Sequence, residues 1–581
     1  CISGRARDTK ISNLKTVTAA ATSGKAGGFA GFAKAGDALS AGDSTTSKLT
    51  GIELENLLGV VSALRPEFNN TSIAYVSNGN DPQVSADMAG GFVGDGQAVD
   101  INYGNNNSGF KADTDTNITG LSYIKGTSYA GGFAGRLMPG DVAQTGSIKL
   151  LGLLNVNQLL SVMDVAYPRI SDSSIKGNNL VVTASGKNDD VVLGDAGGYI
   201  GNGKAVMLKN SDVTNVKEVK APYHAGGYIG IMRSGSAAEA GDATGDLLNS
   251  VLGKILSLKE LASVLQAASS KITNCKVAGT ADGLTVTADS GFENAEGYAG
   301  GFVGEMQSGH VDNSANAVDS GKGTAVENLL KVEGLRYAGG FGGLVKAGAV
   351  AEIGAKSSIL TKVVDLTGLL SLVNAFVPVI SNASVNSVEK GFTVTVTGTL
   401  EKDSTNDADA GSAGGFIGCG TGVQISNSDV NKLQHTGVSE PKNLQQEDGS
   451  SYYGSDSAYA VSGYRYAGGY IGKAAMGSTA AIGGASVLDH VLSATNLLSA
   501  LTVVASIIDS SDVYGAIGGF HVLATDGDGD TGRAGGYAGE LLGVQIQNSN
   551  SYNFAHIIGR ESAGGYVGTM EPGSAADVVN G

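Results

Sequence analysis

The stretch AGGFVG at Ala89–Gly94 recurs with small variations eleven times along this 581-residue chain. Its common form is Ala-Gly-Gly-aromatic-apolar-Gly, and the spacing between copies alternates between long and short. Such self-similarity is typical of a repeat array, in which each unit is too small to bury a core alone and must stack on its neighbours. The copies begin at Ala26, Ala89, Ala130, Ala196, Ala225, Ala299, Ala338, Ala413, Ala467, Ala534 and Ala563.

A looser second hexad, Ile-x-Asn-Ser-x-Val, falls between copies of the first, for example at Ile272–Val277. The shortest units are 29 residues long, which suits two or three short strands and their turns. Asn at the third place favours a turn, where its amide can bond the backbone of its own or the next unit. The asparagines assigned to this place are Asn13, Asn210, Asn274, Asn382, Asn427 and Asn548.

The residue chemistry therefore predicts an all-β solenoid of stacked coils. Each Gly-Gly pair is expected to permit positive φ and to let neighbouring backbones approach closely. The aromatic residue that follows occupies the same place in every coil and predicts a ladder of rings. At about 4.8 Å per coil, eleven coils would form a rod roughly 50 Å long. The ladder residues are Phe29, Phe92, Phe133, Tyr199, Tyr228, Phe302, Phe341, Phe416, Tyr470, Tyr537 and Tyr566.

Each long interval contains an apolar stretch for which we predict a helix. Three of these stretches stop at a proline, Pro66, Pro168 or Pro378, which cannot continue a helix. The predicted helical inserts are 49–65, 149–167, 246–267, 358–377 and 486–507. Two coils plus one insert then form a super-repeat within a single array, with divisions at 1–129, 130–224, 225–337, 338–466, 467–562 and 563–581.

The hexad predicts where these inserts lie. The residue after the aromatic is apolar in ten copies and Gly342 in the other. Because neighbouring residues of a strand face opposite ways, this strand is apolar on both faces. We therefore expect the helices to pack on one outer face of the solenoid, one per two coils. Charged residues such as Lys254 and Glu260 interrupt them, which argues against transmembrane spans.

The ends of the chain and its charge restrict its partners. Neither end carries the polar capping coil typical of a complete array, so the chain is expected to be a segment of a longer one. Lys and Arg number 38 against 55 Asp and Glu, a net charge of −17. This sign is wrong for nucleic acid and for anionic membranes. We expect no nucleic-acid partner and no membrane insertion by this segment.

The motif copies AGGFVG at Ala89–Gly94 and AGGYIG at Ala225–Gly230 resemble the GLUG-type repeat of large bacterial surface proteins. Such repeats occur in the stalk regions of some immunoglobulin-A-cleaving metalloproteases. The resemblance implies a right-handed parallel β-helix in an adhesin-like protein of the bacterial cell surface, outside the cell. The inserted helix in alternate coils departs from the family pattern. No H-E-x-x-H is present, so no zinc protease activity carries over.

One polar loop has the spacing of a calcium site. Asp526, Asp528 and Asp530 alternate as in a calcium-binding loop, but position twelve is Tyr537 where an EF-hand requires Glu. Loops rich in acidic or amide residues recur before the first motif of each pair. They predict either a column of calcium sites or solvated turns. These loops are Asn80-Asp81, 188–190, Glu293 with Glu296, and 403–409.

Catalytic residues are hard to find in the sequence. No Gly-x-Ser-x-Gly elbow is present, and Cys275 and Cys419 are interpreted as small packing residues. An active site should break the repeat at one place, and none does, so a polysaccharide-active β-helix enzyme is the lesser alternative. Six histidines occur at positions that we interpret as non-equivalent, and we interpret each one as a surface or packing residue. They are His224, His310, His435, His490, His521 and His556.

These observations predict a non-enzymatic structural repeat region that acts as a rigid stalk or a filament subunit. Self-association is expected end to end, or laterally through the apolar helices. The alternative is an adhesin that binds a host glycan or protein through exposed loops. The longest insertion, Thr436–Tyr466, supports it, since tyrosine-rich loops supply contact area. Its tyrosines are Tyr452, Tyr453, Tyr459, Tyr464 and Tyr466.

Overall fold

Parallel β-strands dominate the computed structural model of the chain. Among the described residues, only 164–166 are α-helical. Most strands belong to three large sheets, which we name A, B and C, and each repeat unit contributes to all three. The residues described are 4–35, 65–77, 79–103, 116–140, 164–188, 192–235, 269–289, 296–314, 322–348, 377–398, 410–433, 459–477, 505–516, 518–525 and 532–573.

Sheet A is built from the first half of the second hexad. Its eleven strands pair in parallel, one from each unit. The strands are Arg5–Arg7, Glu67–Asn69, Asp100–Asn102, Arg169–Ser171, Met207–Lys209, Lys271–Thr273, His310–Asp312, Val379–Ser381, Gln424–Ser426, Ser506–Asp509 and Val544–Gln547.

Sheet C is built from the second half of the glycine motif and also has eleven parallel strands. They are Ala30–Lys34, Val93–Gln97, Ala134–Met138, Ile200–Lys204, Ile229–Arg233, Val303–Gln307, Gly342–Lys346, Ile417–Thr421, Ile471–Ala475, Ala538–Leu542 and Val567–Glu571. A small antiparallel pair, Lys187–Asn188 with Val192–Leu193, stands apart from the large sheets.

Sheet B has 28 strands, because each unit contributes two or three strands to it. The last of these strands in each unit ends in the Ala-Gly of the motif. The strands are Lys10–Leu14, Thr16–Thr18, Lys25–Gly27, Ser72–Tyr75, Gln83–Gly90, Thr116–Thr119, Tyr123–Gly131, Ser174–Ala184, Asp195–Gly197, Val213–Ala221, His224–Gly226, Val277–Gly279, Leu284–Ala288, Tyr298–Gly300, Thr324–Gly334, Tyr337–Gly339, Ser384–Ser387, Thr393–Val396, Ser412–Gly414, Val430–Leu433, Val461–Gly463, Tyr466–Gly468, Val513–Gly515, Phe520–Ala524, Arg533–Gly535, Ser551–Tyr552, Phe554–Gly559 and Ser562–Gly564.

The eleven copies of the glycine motif occupy equivalent places, as the sequence predicts. The first motif alanine, Ala26, pairs with Ala89, which in turn pairs with Ala130. The same alignment continues without a break to Ala534 and Ala563. The second hexad is also in register, because Leu208 pairs with Ile170 and with Ile272.

The predicted aromatic ladder is confirmed over its full length. Each ring from Phe29 to Tyr566 stacks on the next, with centroid distances of 4.8 to 5.1 Å. Nine of the eleven rings, from Phe92 to Tyr537, have no exposed surface. Stacked rings at this separation bury large apolar areas. The ladder therefore runs through the main hydrophobic core, together with the central residues of sheet A such as Ile170 and Ile272.

The glycine pairs act by close approach and not by positive φ. A Cβ on Gly91 would lie 2.1 Å from the carbonyl oxygen of Gly132 in the next unit. None of the Gly-Gly pairs of the eleven motif copies is among the residues with left-handed φ, so that part of the prediction was wrong. Only a residue without a side chain allows the motif backbones of successive units to touch.

Asparagine supplies the left-handed turns. Asn210, Asn274, Asn382, Asn427 and Asn548 end the sheet A strands with φ between 48° and 53°. Asn210 Nδ2 donates to Asp172 Oδ1 of the preceding unit at 2.9 Å, and Asn274 Nδ2 reaches Asn210 Oδ1 at 3.4 Å. The amides thus bond between units, but they donate to side-chain oxygens of the preceding unit and not, as the sequence predicts, to the backbone.

Asn13 was assigned to the wrong column. It lies in a sheet B strand, where Ile11 pairs with Ile73, and Asp8 with φ 49° takes the turn after the first sheet A strand. Asn13 belongs with Asn215 and Asn328, which follow irregularities within sheet B at φ 61° and 54°. Both the turn after the sheet A strand and the irregular position within sheet B use Asn in a left-handed conformation. The local sequences at these two positions are therefore similar and easily confused.

A column of small residues lines the turn between sheets A and B. The backbone N–H of Ser173 donates to Ser211 Oγ, and that of Ser428 donates to Ser511 Oγ. Cys275 takes the same position as Ser211 and is fully buried, which confirms it as a small packing residue. Cys419 is buried elsewhere, in sheet C, between Leu344 and Lys473.

The apolar stretches of the long intervals all occur at the same place in the repeat. They fall between the end of a sheet C strand and the start of a sheet A strand, in alternate units. In the intervening units the two strands are joined directly, by residues 98–99, 205–206, 308–309, 422–423 and 543. The positions 36–64, 141–163, 236–268, 349–376 and 478–504 lie outside the described residues.

The helical character of the inserts therefore stays a prediction for most of their length. Residues 164–166 are α-helical within the predicted insert 149–167, and Ala166 O accepts a bond from Gly140 N at 2.9 Å. The predicted insert 486–507 extends too far, because strand Ser506–Asp509 begins inside it. An apolar run of Ile507 and Ile508 fits a buried strand as well as a helix.

The residues that follow the aromatics are buried, as expected. Eight of them, including Val93 and Ile200, belong to the main core cluster, and Ala30 and Val567 at the two ends pack against it. Apart from residues at the ends of the inserts, the helices predicted to cover this strand lie outside the described residues. Within the described part of the chain, no helix is long and apolar enough to cross a membrane.

Candidate functional site

Each unit bends from sheet B into sheet C at the Gly-Gly of the motif, for example at Gly90-Gly91, and we name this bend the glycine corner. The most distinctive polar site lies outside the glycine corner, where two positions of the motif face each other. One is the residue immediately before Ala-Gly-Gly, at the end of sheet B, and the other lies seven residues later in sheet C. The glycine corner brings the two strands close together. The side chains meet in several units: Asn202 Nδ2 lies 2.8 Å from Asp195 Oδ2, and Ser562 Oγ lies 2.7 Å from Thr569 Oγ1.

His224 is the centre of this site. Its Nδ1 lies 2.7 Å from Asp195 Oδ1, and its Nε2 lies 3.1 Å from both Glu296 Oε2 and Glu305 Oε2. The His224 side chain is 3% exposed and Glu305 is 2% exposed, whereas Glu296 is 39% exposed and opens the site to solvent. Ligand atoms of His224, Glu296 and Glu305 lie within 4.8 Å of one another, the one such group in the described part of the chain.

Two of the three carboxylates, Asp195 and Glu305, also accept hydrogen bonds at their other oxygen. Asp195 Oδ2 accepts the bond from Asn202. Glu305 Oε1 accepts bonds from Lys346 Nζ and Gln307 Nε2, both at 2.8 Å. The remaining oxygen of each of these two groups is directed at the imidazole. The rings of Tyr223 and Tyr298 approach His224 edge-on at 5.6 and 5.3 Å and close its sides.

The charges at the site shift its protonation. Burial lowers the pKa of His224, but the charge of Asp195 and the hydrogen bonds to Asp195, Glu296 and Glu305 outweigh it and raise the pKa well above 6.5. Burial raises the pKa of Glu305, but the bond to His224 and the charges of His224 and Lys346 together hold it far below 4.5. The carboxylates around His224 therefore favour its protonated form.

Buried ion pairs recur along the same column. Asp95 is fully buried and lies 2.8 Å from both Lys25 Nζ and Arg136 Nη2. Glu540, which shares the Glu305 position, pairs with Lys473 at 2.9 Å and with Arg533. In these groups each carboxylate is matched by Lys or Arg. Only the His224 group combines an imidazole with three carboxylates among the described residues.

Only some of the site residues predicted from sequence lie within the described part of the chain. Asp526, Asp528 and Asp530 lie outside the described residues, so the calcium prediction stays untested. Asn80 and Asp81 are exposed, as a solvated turn requires. Glu293 lies outside the described residues, whereas Glu296, from the same acidic loop, reaches His224.

The histidine interpretation was partly wrong. His224 is neither a surface residue nor simple packing, because it is ion-paired with three carboxylates. His521 and His556 are equivalent, since they pair in register and their ring centroids are 4.8 Å apart. His435 and His490 lie outside the described residues. Two charged residues at these positions of one motif copy occur at Arg533 and Glu540, whereas the residue seven after His224 is Ile231 and the residue seven before Glu305 is Tyr298. No such pair within one copy therefore marks the His224 group in the sequence.

The tyrosine-rich insertion offers fewer exposed contacts than predicted. Tyr459 and Tyr466 are 1% and 5% exposed, so they pack within the array. Tyr452 and Tyr453 lie outside the described residues. A separate open groove of about 380 Å³ crosses the outer face of sheet A. Its polar lining includes Asp100, Asn102, Arg169, Lys209 and Lys271.

We found no match to this chain among protein-family models, curated proteins or solved structures.

Proposed function

We propose that this chain is a non-enzymatic structural repeat region of a bacterial surface or extracellular protein, acting as a rigid stalk or a filament subunit. The observation that carries the proposal is the unbroken ladder of eleven rings, from Phe29 to Tyr566, with parallel strand pairing between every pair of neighbouring units. An array in which each unit is fixed to the next by rings and backbone bonds resists bending. A binding or catalytic domain has no need of such regularity.

The three parallel sheets are best explained by a right-handed parallel β-helix. Each unit passes from sheet C to sheet A to sheet B and returns to sheet C through the glycine corner. Connections between parallel strands of one sheet are right-handed in about 98% of cases. The GLUG-type resemblance implies the same hand. We also propose that the inserts at the C-to-A corner are helices, one per two coils, that pack on the outer face.

Imaging tests the structural role. We expect electron microscopy of the purified chain at high concentration to show end-to-end fibres, with a repeat of about 4.8 Å per coil along the fibre axis. Antibodies against the chain should label intact source cells. Particles that stay monomeric at every concentration, together with labelling only after cell lysis, would refute the proposal.

A ligand-binding adhesin is the second candidate, and the groove on sheet A favours it. Arg169, Lys209 and Lys271 there present cationic hydrogen-bond donors beside Asp100 and Asn102, a mixture that suits sugars or acidic peptides. Glycan-array binding that is lost in Arg169→Ala and Lys209→Ala would support this reading. Degradation of a polysaccharide by the purified chain would instead support the lesser alternative, a β-helix enzyme.

A further inference from the structure

The His224 group has the geometry of a metal-binding site, and this goes beyond the structural role proposed above. A histidine nitrogen carries at most one hydrogen. Nε2 of His224 lies equally close, at 3.1 Å, to one oxygen of Glu296 and one of Glu305. A single N–H cannot donate well to both oxygens. A cation among the three atoms would contact all of them at once.

The imidazole is already oriented as metal-bound histidines are. Nδ1 lies 2.7 Å from the Asp195 carboxylate, which is the acceptor that fixes the hydrogen on that nitrogen. With the hydrogen on Nδ1, the lone pair of Nε2 points at the two glutamates. A carboxylate behind a histidine, with the opposite nitrogen free for a metal, is the arrangement that orients metal ligands in proteins.

The spacing fits a small transition-metal ion. Zn²⁺ binds nitrogen and carboxylate oxygen at about 2.0–2.2 Å in a tetrahedron, which places neighbouring ligand atoms about 3.3–3.6 Å apart. The His224–Glu296 and His224–Glu305 separations of 3.1 Å are slightly shorter than this range, and all three ligand atoms lie within 4.8 Å of one another. Ca²⁺ and Mg²⁺ prefer six or more oxygen ligands. One imidazole and two carboxylates therefore match these ions poorly.

The charge at the site also calls for a divalent cation. With a neutral imidazole, the groups in direct contact are three carboxylates, Asp195, Glu296 and Glu305, and one ammonium, Lys346. Their sum is −3 + 1 = −2. Lys346 engages Oε1 of Glu305 and leaves Oε2 directed at His224. An ion of charge +2 would neutralise the buried group.

We propose that His224, Glu296 and Glu305 bind a divalent transition-metal ion, with Zn²⁺ as the best fit, and that Asp195 is the positioning residue behind His224. The three ligands and Asp195 come from consecutive units, whose motif alanines Ala196, Ala225 and Ala299 pair in register. The ion therefore fastens neighbouring units together. Because Glu296 is the exposed ligand, the ion enters from solvent at that side.

The full chain, stripped with a chelator, tests the site by titration calorimetry and thermal melting with ZnCl₂, and with CaCl₂ and MgCl₂ for comparison. We expect one Zn²⁺ per chain and a rise of several degrees in melting temperature, because a ligand that binds only the folded state stabilises it. Neither Ca²⁺ nor Mg²⁺ should reproduce the rise. Absence of any Zn²⁺ stabilisation would overturn the proposal.

Variants locate the ion. Glu296→Gln is the safest substitution, since this side chain is partly exposed, and it should weaken Zn²⁺ binding by at least about 100-fold with the fold intact. Asp195→Asn should weaken binding by about 10- to 100-fold, as expected for a group behind a ligand. Glu540→Gln is the matched control: Glu540 occupies the Glu305 position and is equally buried but faces Lys473 and Arg533. It should leave Zn²⁺ affinity unchanged.

Two further measurements keep the outcome decisive. His521 and His556 form a close imidazole pair elsewhere in the described part of the chain. Loss of the Zn²⁺ effect in His521→Gln with His556→Gln, but not in Glu296→Gln, would overturn the assignment. Co²⁺ substitution of the unmodified chain needs no variant to fold. Intense visible bands of a four-coordinate Co²⁺ are expected, and the weak spectrum of hydrated Co²⁺ would contradict the site.

Discussion

The ring of Tyr228 stacks on the ring of Tyr199 at a centroid distance of 4.9 Å with the planes 3° apart, and each hydroxyl donates at 2.5 Å to the carbonyl of a column serine. Tyr228 Oη reaches Ser211 O and Tyr199 Oη reaches Ser173 O. The ladder thus fixes the glycine corner to the turn between sheets A and B across the core. Tyr470, Tyr537 and Tyr566 repeat this bond.

Removal of one buried hydroxyl should test this link. We expect Tyr228→Phe to lower the free energy of unfolding by about 1–2 kcal/mol, because the Ser211 carbonyl loses its donor in a dry core. Tyr566→Phe is the control, since this ring makes the same bond to Ser549 but is 36% exposed, and water can replace the hydroxyl. Equal losses in the two variants, measured by denaturant titration, would contradict the assignment.

Alkaline pH should unfold the array through the same tyrosines. Burial raises the pKa of Tyr199, Tyr228, Tyr470 and Tyr537 well above 10, whereas in the unfolded chain the pKa is about 10. The stability they provide is complete below pH 10 and is lost as pH rises towards their folded pKa, by about 1.4 kcal/mol per pH unit for each group. Tyrosinate absorbance and circular dichroism followed together report this. Ionisation of all tyrosines before any loss of β-structure would refute the prediction.

The left-handed asparagines should show two separable contributions. Asn210 has φ 48° and donates to Asp172. We expect Asn210→Ala to cost about 1–2 kcal/mol, because it loses the bond and strains the backbone. Asn210→Gly should cost less, since glycine adopts this φ without strain. If glycine is the more damaging of the two in thermal melts, positive φ is not what selects asparagine here.

The glycine corner should be intolerant of any side chain in the interior of the array. A Cβ on Gly91 would lie 2.1 Å from Gly132 O, so we expect Gly91→Ala to cost about 3 kcal/mol or more. Gly565 holds the same place in the last described motif, where a Cβ would meet only Phe554 Cζ at 3.9 Å. Gly565→Ala should therefore change the melting temperature little. Similar effects from both substitutions would show that close stacking is not the reason for the glycine.

The repeat could be predicted from sequence because its signals are local and repeated. Eleven copies of one hexad fix the equivalence of Phe92 and Phe133, and an error at one copy is corrected by the others. The Asn columns were harder to separate, because Asn13 and Asn210 share a backbone conformation and a similar flanking pattern but lie in different sheets. Periodicity alone could not place the end of the last insert before Ser506.

The His224 group could not be found in this way. Its members Asp195, His224 and Glu305 are separated by up to 110 residues in sequence, since 305 − 195 = 110, and each one looks like a single polar exception in its own copy of the motif. They meet because strand registers set Asp195 beside His224 and Ile231 beside Glu305. Burial of Glu305 and the shared approach to Nε2 exist only after the units have stacked.

The sequence by itself determined the repeating unit, the ladder and the parallel register, because each follows from residues that recur at fixed places and from the backbone contact that glycine alone permits. The tertiary structure alone decided which of the polar residues that depart from the motif, such as Asp195, His224 and Glu305, face one another. Stacking brings residues of different units within 3 Å, and the pairing of charges there depends on register and burial, which no single repeat contains.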